Sequence, residues 1–428
     1  MVKISRRRFL TVAGMTAASA VLAPTLKNLA EKGEHVQSSG FGEIIPDPKG
    51  ILDLPAGFQY KIVSRSGNKM SDRTFVPTNF DGMGVFKGAN NTTILIRNHE
   101  LSPDQTPAVT APDDKKYNKA SNGGTTTIVL DENLLVIDEF VSLAGTNRNC
   151  AGGPTPWGTW ISSEEDTSPG HGYNFEVPTT AGIVTPAPLI DMGRFRHEAV
   201  AVDPSTGYIY QTEDQIDGCF YRFRPKENGN LIAGGTLEAL VIDKMRYVDT
   251  SLNFPLSQPQ KVSWIAVKEV NPKEDNIRYQ SRAKGAATFR RGEGICWADG
   301  QLYFTCTNGG KAEVGQIFRY NPTKETIELF FESTSKEVLD YPDNLILAPF
   351  GDLIVCEDGK GEQLLVGITS EGKYYHFARN ALNNAEFAGV GFSPDGGTMF
   401  VNIYSPGLTL AVQGNWRKPV NKNSMLAR

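Results

Sequence analysis

Apolar and polar residues alternate with period two through most of this chain, in short runs that turn at Gly, Pro or Asp clusters. Such alternation puts one face of an extended segment in a core, and it predicts β-strands rather than helices. The runs come in pairs, and the pairs repeat. Each copy opens on an acid or a cysteine, passes through four or five apolar residues, turns, and returns through an apolar strand ending in acids or amides. The copies are DGMGVFKGANNTTILIRNHE from Asp81, CAGGPTPWGTWISSEE from Cys150 and EAVAVDPSTGYIYQTED from Glu198. They continue with EGICWADGQLYFTCTN from Glu293, DNLILAPFGDLIVCED from Asp343 and EFAGVGFSPDGGTMFVN from Glu386. Their starts lie 69, 48, 95, 50 and 43 residues apart, so the interval from Glu198 to Glu293 must hold insertions.

Hairpins repeating every ~40–50 residues predict an all-β fold, a β-propeller with one blade per copy and most simply six-bladed. Outer strands would come from stretches such as GCFYRFR at Gly218 and GQIFRY at Gly315. Five or seven blades, or a two-sheet sandwich, are the alternatives. The sandwich does not explain why every copy has polar groups at both ends.

A propeller has a geometric consequence. Its innermost strands all run the same way around a channel, so their first residues meet at one mouth. The antiparallel second strands return their last residues to that mouth. One face should therefore gather Asp81, Cys150, Glu198, Glu293, Asp343, Asn344 and Glu386 from strand starts. From strand ends it should gather Asn98, His99, Glu100, Glu164, Glu165, Glu213, Asp214, Glu357 and Asp358. Carboxylates crowded in this way repel and must protonate unless cations neutralise them. Oxygen-rich sets suit calcium, and a thiolate among carboxylates suits a transition metal such as iron. Singly, each acid is an ordinary turn residue and Cys150 an ordinary buried thiol; the register of six copies is what argues for a site. His99, His171 and His197 are weaker candidates, because histidine beside an acid is often a hydrogen-bonded structural residue.

FRRGEG places Arg290 and Arg291 beside Glu293. Arg291, two residues before Glu293 on an extended chain, points the same way and so into the mouth. A guanidinium there suits a tetrahedral anion such as phosphate, with a plain salt bridge as the alternative.

The 428 residues, 39% hydrophobic and 21% charged, suffice for one large domain or two smaller ones, and 43 Gly with 25 Pro fit many turns. Ser5-Arg6-Arg7-Arg8-Phe9-Leu10 with the apolar run to Leu22 resembles a twin-arginine export signal, cleaved near Ala18–Ala20 or Val21–Ala23. That run, about 14 residues, is short of the ~20 a membrane span needs, so no anchor is expected after cleavage. The expected division is a signal peptide at 1–23, an extended leader at 24–50 and a single propeller domain at 51–428. Removing residues 1–23 takes away Lys3, Arg6, Arg7 and Arg8 and no acid, which moves the net charge from −5 to −9. An acidic mature protein argues against nucleic acid as a partner. Of the five cysteines, Cys219, Cys296, Cys306 and Cys356 sit in apolar patterns as small hydrophobes, and a disulfide between two of them stays open. Cys150 stands apart.

Several of these segments are similar to a known family. LPAGFQYKIVSRSG, FDGMGVF, RNHE, GGTTTIVLD, NCAGGPTPWGTWISSEE, HGYNFEVP, GRFRHEAVAVDPSTGYIYQTED, RGEGI, PDNL and EFAGVGFSPDG fall in order from about residue 54 to 402 and resemble the PhoX-type alkaline phosphatases. The resemblance implies a β-propeller exported to the periplasm or beyond by the twin-arginine machinery, with two Fe3+ and two or three Ca2+. It implies iron ligands at Cys150, Glu198, Glu293 and Asp343, and a phosphoryl-steadying arginine at Arg291. It places calcium ligands among Asn98, Glu100, Glu164, Glu165, Glu213, Asp214 and Glu357. One departure is Ser163, where the family often has cysteine before the paired acids. The expectation is a monomeric phosphomonoesterase acting on a small phosphorylated substrate. No Ser or Thr stands out as a covalent nucleophile, and no H-E-x-x-H or Walker-type loop is present. The rivals are a calcium-dependent propeller hydrolase of lactones or esters, and a non-enzymatic calcium-bound propeller that binds a partner.

Overall fold

The computed structural model of the chain describes residues 36–180 and 182–417. The predicted signal peptide at 1–23 and the leader as far as residue 35 lie outside the described residues. Val, Ile, Phe, Tyr and Thr fill the period-two runs, and such side chains suit a pleated, half-buried surface. The strands begin with β1 (Ile44–Ile45), β2 (Leu52–Pro55), β3 (Phe58–Arg65), β4 (Phe80–Lys87), β5 (Thr93–His99), β6 (Gly123–Leu130) and β7 (Val136–Thr146). Next are β8 (Asn149–Pro154), β9 (Thr159–Glu164), β10 (Asn174–Pro178), β11 (His197–Val202), β12 (Ile209–Glu213), β13 (Tyr221–Pro225), β14 (Gly235–Ile242) and β15 (Gln260–Ala266). A short helix, α1 (Ile277–Arg282), precedes β16 (Gly292–Ala298), β17 (Gln301–Cys306), β18 (Gln316–Asn321) and β19 (Thr326–Glu332). The last are β20 (Pro342–Leu347), β21 (Leu353–Glu357), β22 (Leu364–Ile368), β23 (Tyr374–Asn380), β24 (Phe387–Phe392), β25 (Thr398–Ile403) and β26 (Leu408–Gly414).

Hydrogen bonding divides these strands into five sheets, which corrects the prediction of six blades. Four sheets are blade-like: β4–β7, β8–β10, β20–β23 extended by β2 and β1, and β24–β26 completed at the edge by β3. The fifth has nine strands in the order β11-β12-β13-β14-β15-β19-β18-β17-β16, and it curls until its end strands β11 and β16 lie side by side, close to a barrel. The cause is the insertion between Glu198 and Glu293. It supplies β15, which pairs with β14 through Ala239↔Ile265 and reaches β19 at Gln260↔Ile327. Two hairpins that would have stood apart thus share one ladder.

The first strands of the six hairpins, β4, β8, β11, β16, β20 and β24, pack against one another in that order, and β24 returns to β4. They ring a central channel. Cores lie between neighbouring sheets, as where Phe377, Met399 and Leu410 meet, and inside the curled fifth sheet, where Phe220 stacks on Phe304 with centroids 4.4 Å apart. The channel holds an apolar cavity of about 590 Å³ lined by residues such as Val85, Trp157, Val202, Trp297 and Phe392. No disulfide links the five cysteines, all of them buried. Among the described residues no helix is long and apolar enough to cross a membrane.

Candidate metal centre

One backbone contact sets all six hairpins. The residue just past each returning strand donates its N–H to a carbonyl near the start of the first strand. The pairs are Glu100 to Asn79, Glu165 to Arg148, Asp214 to Arg196, Thr307 to Arg291, Asp358 to Tyr341 and Tyr404 to Glu386, at 2.9–3.2 Å. Two residues beyond each of those carbonyls stand Asp81, Cys150, Glu198, Glu293, Asp343 and Ala388. The sixth hairpin is thereby corrected: Glu386 is in register with Arg291, not with Glu293, and Ala388 occupies the ligand position. A slip of two residues keeps every side chain on its face, so alternation in the sequence does not reveal it.

The ladder then breaks at the same place in each of the first five hairpins. The register shifts between Phe80 and Met83, Asn149 and Gly152, His197 and Val200, Gly292 and Ile295, and Pro342 and Leu345. Each bulge holds the ligand residue and the one after it, and a bulge is the ordinary device for re-aiming a side chain. The following residue is small: Gly82, Ala151, Ala199 and Gly294, with Asn344 as the exception and Gly389 in the sixth hairpin. There is no room for more. A Cβ on Gly82 would lie 2.9 Å from Cys150 O, one on Gly294 2.6 Å from Asn344 Cα, and one on Gly389 2.6 Å from Asp81 O. Asn344 uses its side chain in the same seam, donating to Asp343 Oδ1 at 2.9 Å and accepting from Gly389 N at 2.5 Å. Close approach behind the ligands is what brings the ligands together.

Three overlapping triads result: Asp81–Glu100–Cys150, Cys150–Glu165–Glu198 and Glu198–Glu293–Asp343. In each, one ligand atom per residue lies within 4.8 Å of the others. All are buried except Glu100, which is partly exposed. Burial, followed by the Asp358 charge, pushes Asp343 up to about 8, and burial with Asp214 pushes Glu165 up to about 7. Burial and then neighbouring carboxylates push Asp81, Glu198 and Glu293 well above the usual range, and the Cys150 thiol likewise. Glu198 makes no hydrogen bond or ion pair to a described residue. A buried carboxylate in that position needs a proton or a cation. A thiol and carboxylates spaced to share ions, with oxygen donors on the flank, make clusters that could chelate metal ions.

Other predicted ligands are not brought to the mouth. Glu164, Glu213 and Glu357 each end a strand, one residue before a mouth-facing acid, and neighbours on a strand point to opposite faces. Glu164 accepts from Asn147 N at 2.9 Å and Gly172 N at 2.9 Å and pairs with His171 Nδ1 at 2.7 Å. Glu213 accepts from Cys219 N at 3.0 Å and Tyr221 OH at 2.7 Å and pairs with Arg278 at 3.3 Å. Glu357 accepts from Asp340 N at 2.8 Å and Leu364 N at 3.0 Å. Asn98 donates to Cys150 O and Ala151 O, and its oxygen accepts from Trp160 Nε1 and Ser162 Oγ. All four brace the hairpins. His99 bonds Thr78 O and Thr126 Oγ1, and His197 bonds Gly193 O; burial holds His99 well below its usual range and His197 down at about 3.

The rim above the ligands follows its own rule, in which the first residue of five of the six hairpin frames reaches back to the neighbouring hairpin. Asn79 Nδ2 donates to Tyr404 OH at 2.6 Å, Arg148 meets Glu100 at 2.5 Å, and Arg196 meets Glu165 at 3.6 Å. Arg291 forks onto Asp214 through Nε at 2.8 Å and Nη2 at 3.0 Å, and Nη2 also reaches Glu293 at 2.7 Å. Arg148 bonds Glu165 as well. Glu386 instead meets an acid, Asp358. The frame positions are therefore two-sided, with Arg148, Arg196 and Arg291 on three consecutive hairpins and Tyr341, Glu386 and Asn79 on the other three, while Glu100 adjoins Arg148. Sequence reasoning singled out Arg291 and overlooked Arg148 and Arg196, although all three stand two residues before a ligand position in NRNC, FRHE and RRGE. It placed Asp81 at the mouth without naming it a ligand.

The family model described as alkaline phosphatase PhoX matches residues 39–137 and 132–407. The chain belongs to the PhoX family. Its resemblance to PhoX-type phosphatases, read from NCAGGPTPWGTW and the segments around it, holds. Among solved structures, Pseudomonas fluorescens PhoX in complex with vanadate, a transition state analogue, superposes with a TM-score of 0.70 at 18% identity. The match covers 87% of this chain and 97% of that one, so the PhoX fold spans nearly all of both. A gluconolactonase from Xanthomonas campestris has a TM-score of 0.35 at 12% identity, covering 83% of this chain and 100% of that one. The WD40 β-propeller domain of Doa1 has 0.43 at 9%, covering 84% and 98%. Comparison with curated proteins gives no match.

Proposed function

We propose that this PhoX-family protein is an exported, metal-dependent phosphomonoesterase that works at the channel mouth. The observation that carries this reading is the pair of triads sharing Glu198 beside an arginine with donors to spare. Cys150, Glu198, Glu293 and Asp343 would hold iron, and Asp81, Glu100, Glu165 and Asp214 would offer oxygens to calcium. Such ions supply Lewis acidity toward phosphate oxygens and an activated water.

The remaining work falls to the chain's own residues. The fork of Asp214 onto Arg291 fixes the guanidinium plane, and Nη1 makes no hydrogen bond to a described residue. That donor is available to an anionic oxygen, and it gains strength as charge builds on the equatorial oxygens during in-line transfer. The hairpin of Arg291 carries Thr307 where its neighbours carry Asp214 and Asp358, so its returning strand adds no further carboxylate to Asp214 and Glu293 beside the guanidinium. A thiol ligand and a phosphate-ready arginine have no task in a calcium lactonase or a calcium-stabilised binding module. Twin-arginine export to the periplasm or beyond, as a monomer, belongs to the same proposal.

The test is to assay the purified metal-loaded protein against p-nitrophenyl phosphate and p-nitrophenyl acetate, with elemental analysis. Phosphate-ester hydrolysis with iron and calcium present is expected. Arg291→Ala should lower kcat/KM by roughly a hundred- to a thousandfold while metal content stays. Carboxylate-ester hydrolysis with calcium alone would contradict the proposal.

A further inference from the structure

We infer that Arg196 is a specificity-determining residue that binds a second anionic group of the substrate, so that the preferred substrates are phosphomonoesters carrying a carboxylate or another phosphate near the ester. This rests on the phosphatase reading and deepens it.

The three rim arginines occupy equivalent places but are not equally engaged. Arg291 makes three hydrogen bonds, and Arg148 bridges Glu100 and Glu165. Among the described residues Arg196 has one charged neighbour, Glu165 Oε1 at 3.6 Å, which is beyond hydrogen-bond range. The other oxygen of Glu165 is already occupied by Arg148 and the Cys150 thiol. With 45% of its side chain exposed, Arg196 presents a planar set of donors that make no hydrogen bond to a described residue.

Its location gives those donors a purpose. Arg291 stands beside the Glu198–Glu293–Asp343 triad and Arg196 beside the Cys150–Glu165–Glu198 triad, and the two share Glu198. A phosphate held by Arg291 therefore leaves the rest of the substrate one triad away from Arg196 on one side. On the other side of Arg291 the next two frame positions are Tyr341 and Glu386, with Asp358 beside the latter, and they offer no guanidinium to an anionic substituent. The two-sided rim orients a doubly anionic substrate one way round, with its second charge on the arginine arc.

3-Phosphoglycerate and glycerol 3-phosphate make the test, because they share the phosphate and the three-carbon frame and differ in a carboxylate. The metal-loaded enzyme should prefer 3-phosphoglycerate in kcat/KM, with a preference that weakens as ionic strength rises. Arg196→Ala should reduce the ratio about tenfold, mainly through KM for 3-phosphoglycerate, and Arg196→Lys should recover part of it. Metal content and melting temperature of both variants show whether the fold is intact. A wild-type enzyme indifferent to the carboxylate, or a variant that changes both substrates alike, would overturn the inference while leaving the phosphatase reading standing. A wild-type enzyme that hydrolyses neither substrate nor p-nitrophenyl phosphate overturns both.

Discussion

Gly294→Ala tests whether the small residues behind the ligands set the geometry of the metal centre. The new methyl would lie 2.6 Å from Asn344 Cα, 2.7 Å from Asp343 O and 3.0 Å from Leu345 N. Carbon atoms pack at about 3.5–4.0 Å, so β16 and β20 must part by roughly 1 Å. The clash falls between Glu293 and Asp343, two residues of one triad, because Gly294 follows the first and the obstructing atoms belong to the second and the two residues after it. Overpacking of this kind costs about 1–3 kcal/mol of stability. Metal–ligand distances tolerate only about 0.2 Å, so an opening of that size loses a ligand. We expect a modest fall in melting temperature with a loss of iron affinity of tenfold or more, read by elemental analysis and competition with a chelator. Gly397→Ala is the control, since its methyl meets nothing closer than 3.4 Å, and it should change neither quantity. Full iron content at normal affinity in Gly294→Ala would refute the reasoning. So would metal loss that merely tracks unfolding.

Cys150→Ala removes a thiol that belongs to two triads, so iron content and activity should fall together while calcium is retained in part; elemental analysis decides. The metal-free protein should lose stability as pH rises from 6.5 to 8. Asp343 at about 8 and Glu165 at about 7 are raised above their unfolded values, so the folded state holds protons that the unfolded chain has released, and stability drops by up to roughly 1.4 kcal/mol per pH unit for each group. The buried neutral His99 and His197 act with the opposite sign, and that opposing contribution fades as pH climbs past their ordinary value of 6.5. Thermal melting across the range checks this, and a flat or rising melting temperature in the metal-free protein would contradict it. Changing Arg6 and Arg7 together to Lys should leave the protein in the cytoplasm, as read by fractionation, and normal export would show that the leader has another role.

The hairpin repeat was legible because each first strand is buried on both faces and each opens on a residue too polar for a core. That contrast marked Cys150, Glu198, Glu293 and Asp343 in the sequence. What it could not mark was pairing between elements. β15 reads as one more amphipathic strand, and only its contacts with β14 and β19 reveal that it joins two hairpins into one sheet. Glu386 was misaligned because a two-residue slip preserves alternation, and the deciding bond, Tyr404 N–H to Glu386 O, is made by the backbone. Glu164, Glu213 and Glu357 each precede a mouth-facing acid, and a pair of adjacent acids in the sequence does not say which of the two faces the mouth, since strand neighbours point opposite ways. Arg148 and Arg196 were in plain view at the same offset as Arg291. The signal was there, and it was read in one hairpin only.

The central claim is that one metal centre is held by residues from separate hairpins. Anomalous diffraction at the iron edge, from crystals of the metal-loaded protein, tests it most directly. The account predicts a peak within about 2.5 Å of Cys150 Sγ or of the shared Glu198 carboxylate, with Glu293 and Asp343 completing the set. A channel mouth without an anomalous peak, or iron bound elsewhere on the chain, would contradict it.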